Sequence, residues 1–239
     1  MNADARNFGR WWTVCLFAVA MAWVEAAVVF DLRTMVGRLE PWQENPLPLI
    51  GSLGPVELVR ELATLIMLLT VGVLAGKTWR ARWGYALLAF GVWDIFYYAW
   101  LKVICGWPHS LLDWDILFLL PLPWWGPVLA PMLIALLMIL WGTLATQFPP
   151  AIISRRATGM AWAVAGGGML LALLVFMNDA LRVANQGVPV IRQVLPTHFN
   201  WPLFLVALGG MAAPVAQLAR AGLQRGGTRS RFHASTTTD

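Results

Sequence analysis

The chain has 239 residues, of which 59% are apolar and 12% charged, whereas a soluble domain carries about a quarter charged residues and somewhat under half apolar ones. That composition excludes a water-exposed globular surface, and the apolar runs leave no length for a separate soluble domain. The net charge of +5 and pI near 9.9 do not indicate a nucleic-acid partner, because the basic residues sit at the ends of apolar runs and form no basic face on a soluble scaffold.

Six apolar stretches follow one another at about 11–30, 57–76, 83–105, 126–148, 159–181 and 201–220. Each has the roughly 20 residues that an α-helix needs to cross a bilayer. The reading is an all-α integral membrane protein, a six-transmembrane-helix bundle forming one polytopic domain over 1–222, with the lipid bilayer as its first partner. The first stretch follows Arg6 and Arg10 as a signal peptide would, but it is long enough to span and contains Glu25, so it reads as a retained helix. Cys15 and Cys105 lie near opposite ends of their spans and hence on opposite sides of the bilayer, which argues against a disulfide.

The connecting segments alternate in character. Those after the second and fourth stretches are short and basic, with Lys77, Arg80 and Arg82, then Arg155 and Arg156. The others are longer and richer in proline and acid. With the N-terminus inside, 11 of the 17 basic residues fall on the cytoplasmic side, so the positive-inside rule predicts cytoplasmic N- and C-termini, in the inner or plasma membrane of a bacterium. Residues 223–239 read as a disordered cytoplasmic tail, since they hold little to bury.

Two connections are unusual. The segment 111–125, LLDWDILFLLPLPWW, is apolar, but it is too short between prolines to cross and is therefore predicted to be re-entrant or interfacial. Backbone of that kind must be shielded by protein or face a wet recess. The four-proline segment 41–55 is expected to cap the same recess. No internal repeat is visible.

Ten of the twelve acids lie in the half predicted to be non-cytoplasmic, and some fall within spans. An ionisable group at the bilayer centre costs about 2.5–3.5 kcal/mol on insertion scales, so it should face the protein or water. Asp94 shares one side of its helix with Tyr97, Tyr98, Leu101 and Lys102, which reads either as a ligand- or proton-carrying stripe or as an interhelical bond beneath an aromatic belt. Glu25 lies on a stripe with Ala18, Ala22 and Ala26, small enough to bring a second helix close. Glu57 and Glu61 stand one turn apart with Arg60 between them.

Glu25, Glu61, Asp94 and Tyr98 are thus the candidate catalytic groups, expected to converge on one cavity, with Arg60, Tyr97 and Lys102 as substrate-binding candidates. The alternative is a purely structural charge network. His109, Asp113 and Asp115 form a candidate divalent-metal set, with His198 as an extra ligand, although the spacing matches no standard metal motif. No histidine lies within a span, which argues against a bis-histidine haem, and neither a phosphate loop nor a GxSxG elbow is present.

Three classes of function stay open. The first is a membrane enzyme or binding protein for a lipid-like or amphipathic substrate, with a carboxylate-rich site opening to the non-cytoplasmic side. The second is a small proton- or cation-linked transporter. The third is a non-catalytic subunit, or a homo-oligomer, using the glycines at 166–168 and 209–210 as helix contacts.

Overall fold

The computed structural model describes residues 3–43, 53–118, 122–148 and 155–221. The predicted tail and most of the 41–55 cap lie outside these residues. Six helices are long and apolar enough to cross a membrane: Phe8–Met35, Pro55–Ala75, Trp79–Cys105, Leu129–Gln147, Arg156–Phe176 and Trp201–Ala221. The protein is a multi-pass, all-α integral membrane bundle. Large side chains such as Leu16, Leu74, Leu170 and Val206 are exposed on its outer faces, where hydrocarbon takes the place of water.

The helices are α1 (Ala3–Met35), α2 (Leu53–Ala75), α3 (Trp79–Cys105), α4 (Leu129–Gln147), α5 (Arg155–Phe176), two short helices α6 (Asn178–Arg182) and α7 (Val188–Gln193), and α8 (Trp201–Met211). Thr78 starts α3 as its N-cap, its hydroxyl accepting from the Ala81 amide at 3.2 Å. Gly106 ends α3 in the left-handed conformation at φ +78°, which glycine adopts without a Cβ clash. Helix α8 is capped by Asn200. Its helical path pauses at Ala212, two residues before Pro214, and then continues to Ala221, as a residue without an amide donor requires.

Helix α3 is the centre of the molecule, packed against α1, α2 and α4, while α5 pairs with α8. With no hydrophobic force between helices in lipid, close approach depends on small residues. A Cβ at Gly142 would lie 2.5 Å from the Gly84 carbonyl oxygen, and one at Gly91 would lie 2.5 Å from that of Ala135, so these glycines set the α3–α4 distance. Gly168 does the same against Ala207 in the α5–α8 pair, whereas Gly166, Gly167 and Gly209 face open space.

The segment predicted to be re-entrant or interfacial forms an antiparallel hairpin, β1 (Trp114–Phe118) and β2 (Trp124–Pro127), with Asp115 opposite Gly126 and Ile116 opposite Trp125. Its strands of 5 and 4 residues are shorter than the 9–11 that a membrane-crossing strand needs. The hairpin replaces a side-chain cap for α4: the Val128 amide donates to the Asp113 carbonyl at 3.0 Å, and that of Leu129 to the Leu111 carbonyl at 2.7 Å. It lies close on α5 because Gly126 has no side chain; a Cβ there would meet the Phe176 ring at 2.7 Å. One end of the bundle therefore carries the hairpin and the long connections, and the other carries the short turns.

Candidate functional site

The first part of the site lies between α1 and α2. On α2, Glu57, Arg60 and Thr64 recur at helical spacing and share a face, and Glu25 reaches them from α1 along the fully buried stripe of Ala18, Ala22 and Ala26. The Arg60 guanidinium pairs with the carboxylates of both Glu25 and Glu57. The Thr64 hydroxyl donates to Glu25 Oε1 at 2.5 Å. Glu61, one turn below Glu57, lies within electrostatic reach of Glu57 and Arg60.

The second part lies where α1, α3 and the hairpin meet. Arg33 Nη2 pairs with Asp115 Oδ1 at 2.8 Å, and its guanidinium carbon stands 4.4 Å from the centre of the Trp107 ring, a cation–π distance. The Tyr98 hydroxyl and the Ile116 amide also bond the Asp115 carboxylate. Because strand side chains alternate, the turn that sends Trp114 toward Phe199 sends Asp115 into the α1–α3 interior, where it is 1% exposed. Burial pushes the Asp115 carboxyl above the ordinary aspartate range, while Arg33, the Ile116 amide and Tyr98 pull it back. Desolvation of the charged form is the larger effect.

Tyr97 joins the two parts. It lies within electrostatic reach of Arg33 and Asp115 on one side and of Arg60 and Glu57 on the other. Asp94, one turn below Tyr98, is within reach of Asp115. Among the described residues, Asp94 Oδ2, Arg33 Nη1, Trp93 Nε1 and Trp124 Nε1 are buried without a hydrogen-bond partner, as is Glu25 Oε2, which is held by its ion pair with Arg60. Toward the short-turn end the network stops on a packed layer containing Val14, Ala18, Ala22, Leu68, Leu88, Ala89 and Val92.

The expected site residues are therefore drawn into one end of the bundle, but in two linked groups. Glu25, Arg60 and Glu61 form one, and Asp94 and Tyr98 the other, with Tyr97 between them. Lys102 is in neither: it is exposed and donates to the Gly106 carbonyl at 2.8 Å, closing the end of α3. The predicted metal set of His109, Asp113 and Asp115 is not assembled. Asp113 accepts the amides of His109 and Ser110 at 2.7 and 3.2 Å, His109 Nε2 faces Glu40 at 3.2 Å, and Asp115 is turned inward to Arg33. Among the described residues no three His, Cys, Asp or Glu side chains gather to hold a metal ion.

Arg33, Thr64 and Trp107 were not anticipated. Arg33 carried one signal, as a cation at the acid-rich end of a span, against the overall trend of the basic residues. In comparisons with known proteins, no protein family, curated protein or solved structure matches the chain.

Proposed function

We propose that the chain takes the polar head of an amphipathic, lipid-like molecule into the charge network at the hairpin end, as a binding protein or as an enzyme using that network for acid–base chemistry. The observation that carries this is the pattern of pairing. Arg33 and Asp115 satisfy each other, yet Arg33 Nη1, a donor, and Asp94 Oδ2, an acceptor, are buried without partners at the same end. A buried unsatisfied polar group costs about 1–3 kcal/mol, more when charged, and a head bearing both a donor and an acceptor would relieve both.

In this reading Asp94 and Tyr98 are the groups that meet the head and exchange its protons. Arg60 and Tyr97 orient it, and Asp115 holds Tyr98 and Arg33 in place. The layer around Leu88 and Val92 favours a one-ended site over a proton- or cation-conducting path, which would have to cross it. In this reading, which the arginine distribution supports, both termini face the cytoplasm and the hairpin end faces outside, in the inner or plasma membrane of a bacterium.

The test is mass spectrometry of the full chain purified in lipid nanodiscs. The expected result is an amphipath enriched over the bulk lipid in the wild type and lost in Asp94→Asn, a change that keeps shape while removing charge. Bulk lipid alone in both proteins would overturn the reading.

A further inference from the structure

Residues 62–93 hold three cations, Lys77, Arg80 and Arg82, and no acid, so the turn from α2 into α3 is a patch of one sign at the short-turn end of the bundle. The three are not equally engaged. Arg80 spends its guanidinium on the end of α4, donating to the Leu144 and Phe148 carbonyls at 3.3 Å each. Arg82 is held through Nε, which donates to the Gly76 carbonyl at 3.2 Å, and Lys77 is exposed. Among the described residues no carboxylate pairs with Lys77 or Arg82. A Cβ at Gly76 would lie 2.3 Å from the Arg82 amide nitrogen, so the turn closes tightly and keeps positions 77 and 82 together. The Lys77 ammonium and the terminal nitrogens of Arg82 are thus cationic donors left for a ligand.

Deeper in the same leaflet, α2 and α3 leave an apolar groove of about 160 Å³, lined by Leu65 and Leu69 of α2 and by Trp83, Ala86, Leu87 and Phe90 of α3. Leu69 and Trp83 are exposed, so the groove is reached from the lipid. An apolar cavity of roughly 150 Å³ accepts a benzene ring, and this one has room for a segment of one alkyl chain. From Phe90 to the start of α3 at Trp79 the rise is about 16 Å at ~1.5 Å per residue, the depth of one leaflet in a hydrocarbon core about 30 Å thick. The groove therefore lies at hydrocarbon level, and Lys77 stands at headgroup level above it. Arg82 starts nearly one turn inside that edge and reaches back to Gly76, as a snorkelling side chain does. Trp79 and Trp83, edge to face at 5.9 Å, stand between the two levels, where interfacial tryptophans belong.

We infer that the turn and the groove bind an anionic phospholipid of the leaflet at the short-turn end, its phosphate met by Lys77 and Arg82 and one acyl chain seated against Leu69, Trp83 and Leu87. A zwitterionic lipid brings an ammonium that these cations repel, and a free anion has nothing to place in the groove. The site stands at the opposite end of the bundle from the network of Arg33 and Asp94 and does not depend on what that network binds.

The test is native mass spectrometry of the full chain in detergent, titrated with dioleoyl phosphatidylglycerol, dioleoyl phosphatidylcholine and the short-chain dihexanoyl phosphatidylglycerol. The first dioleoyl phosphatidylglycerol is expected to bind about tenfold more tightly than the phosphatidylcholine. Lys77→Gln combined with Arg82→Gln should bring that ratio below about threefold. Lys77→Arg combined with Arg82→Lys, which keeps both charges, should leave it within about twofold of wild type. So should Arg156→Gln, which removes an exposed cation of the same end. Leu69→Trp and Leu87→Trp, at exposed and half-buried positions of the groove wall, should each weaken dioleoyl phosphatidylglycerol about fivefold and leave the dihexanoyl lipid unchanged. Equal binding of the two dioleoyl lipids, or an equal loss of preference in Arg156→Gln, would overturn the head site. Unchanged dioleoyl binding in both tryptophan variants would overturn the seat of the chain.

Discussion

Arg33, at the end of the first span, pairs at 2.8 Å with Asp115, on a strand 82 positions away in sequence. This contact fastens the hairpin to α1 and, through Tyr98, to α3. Both partners are largely buried, so removing one leaves a charge without compensation, at a cost of roughly 3–5 kcal/mol.

Arg33→Gln is therefore expected to lower the thermal midpoint of the purified protein strongly at neutral pH. Without the guanidinium, burial acts on Asp115 with less opposition, and its carboxyl rises further. A carboxyl raised in the folded state favours folding at low pH and ceases to do so as pH rises through its folded value. The defect of Arg33→Gln relative to wild type should accordingly shrink as pH is lowered toward 4. A defect that stays constant between pH 4 and 8 would show that Asp115 is not the group affected.

Replacement of Gly142 by valine tests the helix spacing. The added side chain meets the Gly84 carbonyl and Leu88 backbone, and overpacking of this kind costs about 1–3 kcal/mol. Gly166→Ala, facing open space, should leave the midpoint within about 0.5 kcal/mol of wild type, as for other outward-facing positions. Thermal unfolding followed by tryptophan fluorescence would separate the two. Equal midpoints would contradict the packing described.

The proposed topology, with both termini cytoplasmic, rests on the even number of spans and the arginine distribution. A reporter fused after Arg225 should read as cytoplasmic and one inserted near Gln43 as external. An external C-terminal fusion would reverse or break the six-span arrangement.

The six spans were legible because a transmembrane helix needs only length and low charge, and both are local properties of sequence. The acids of one end were legible for the same reason, since their insertion cost stands out against an apolar background. Partner choice was not. Whether Glu25 would meet Arg60 or Asp94 depends on helix rotation and register, which periodicity does not announce. The hairpin was foreseen as non-crossing backbone, but its strand pairing depends on Gly126 fitting against Phe176. That pairing turns Asp115 inward, away from His109 and Asp113, and so dissolves the metal set that their nearness in sequence suggested. Lys102 was read as part of the Asp94 stripe, but at the last turn of α3 the free carbonyls of the helix end offered a nearer partner.

The central claim, a polar site open at the hairpin end and closed by an apolar layer below, is tested most directly by thiol accessibility. With Cys15 and Cys105 replaced by alanine, single cysteines are introduced as Glu61→Cys and Leu88→Cys, and sealed vesicles of either orientation are treated with a membrane-impermeant maleimide. The account predicts that Glu61→Cys is labelled only when the reagent is on the hairpin side, and that Leu88→Cys, in the buried layer, is labelled from neither. Labelling of Glu61→Cys from the short-turn side, or of Leu88→Cys from either side, would contradict it.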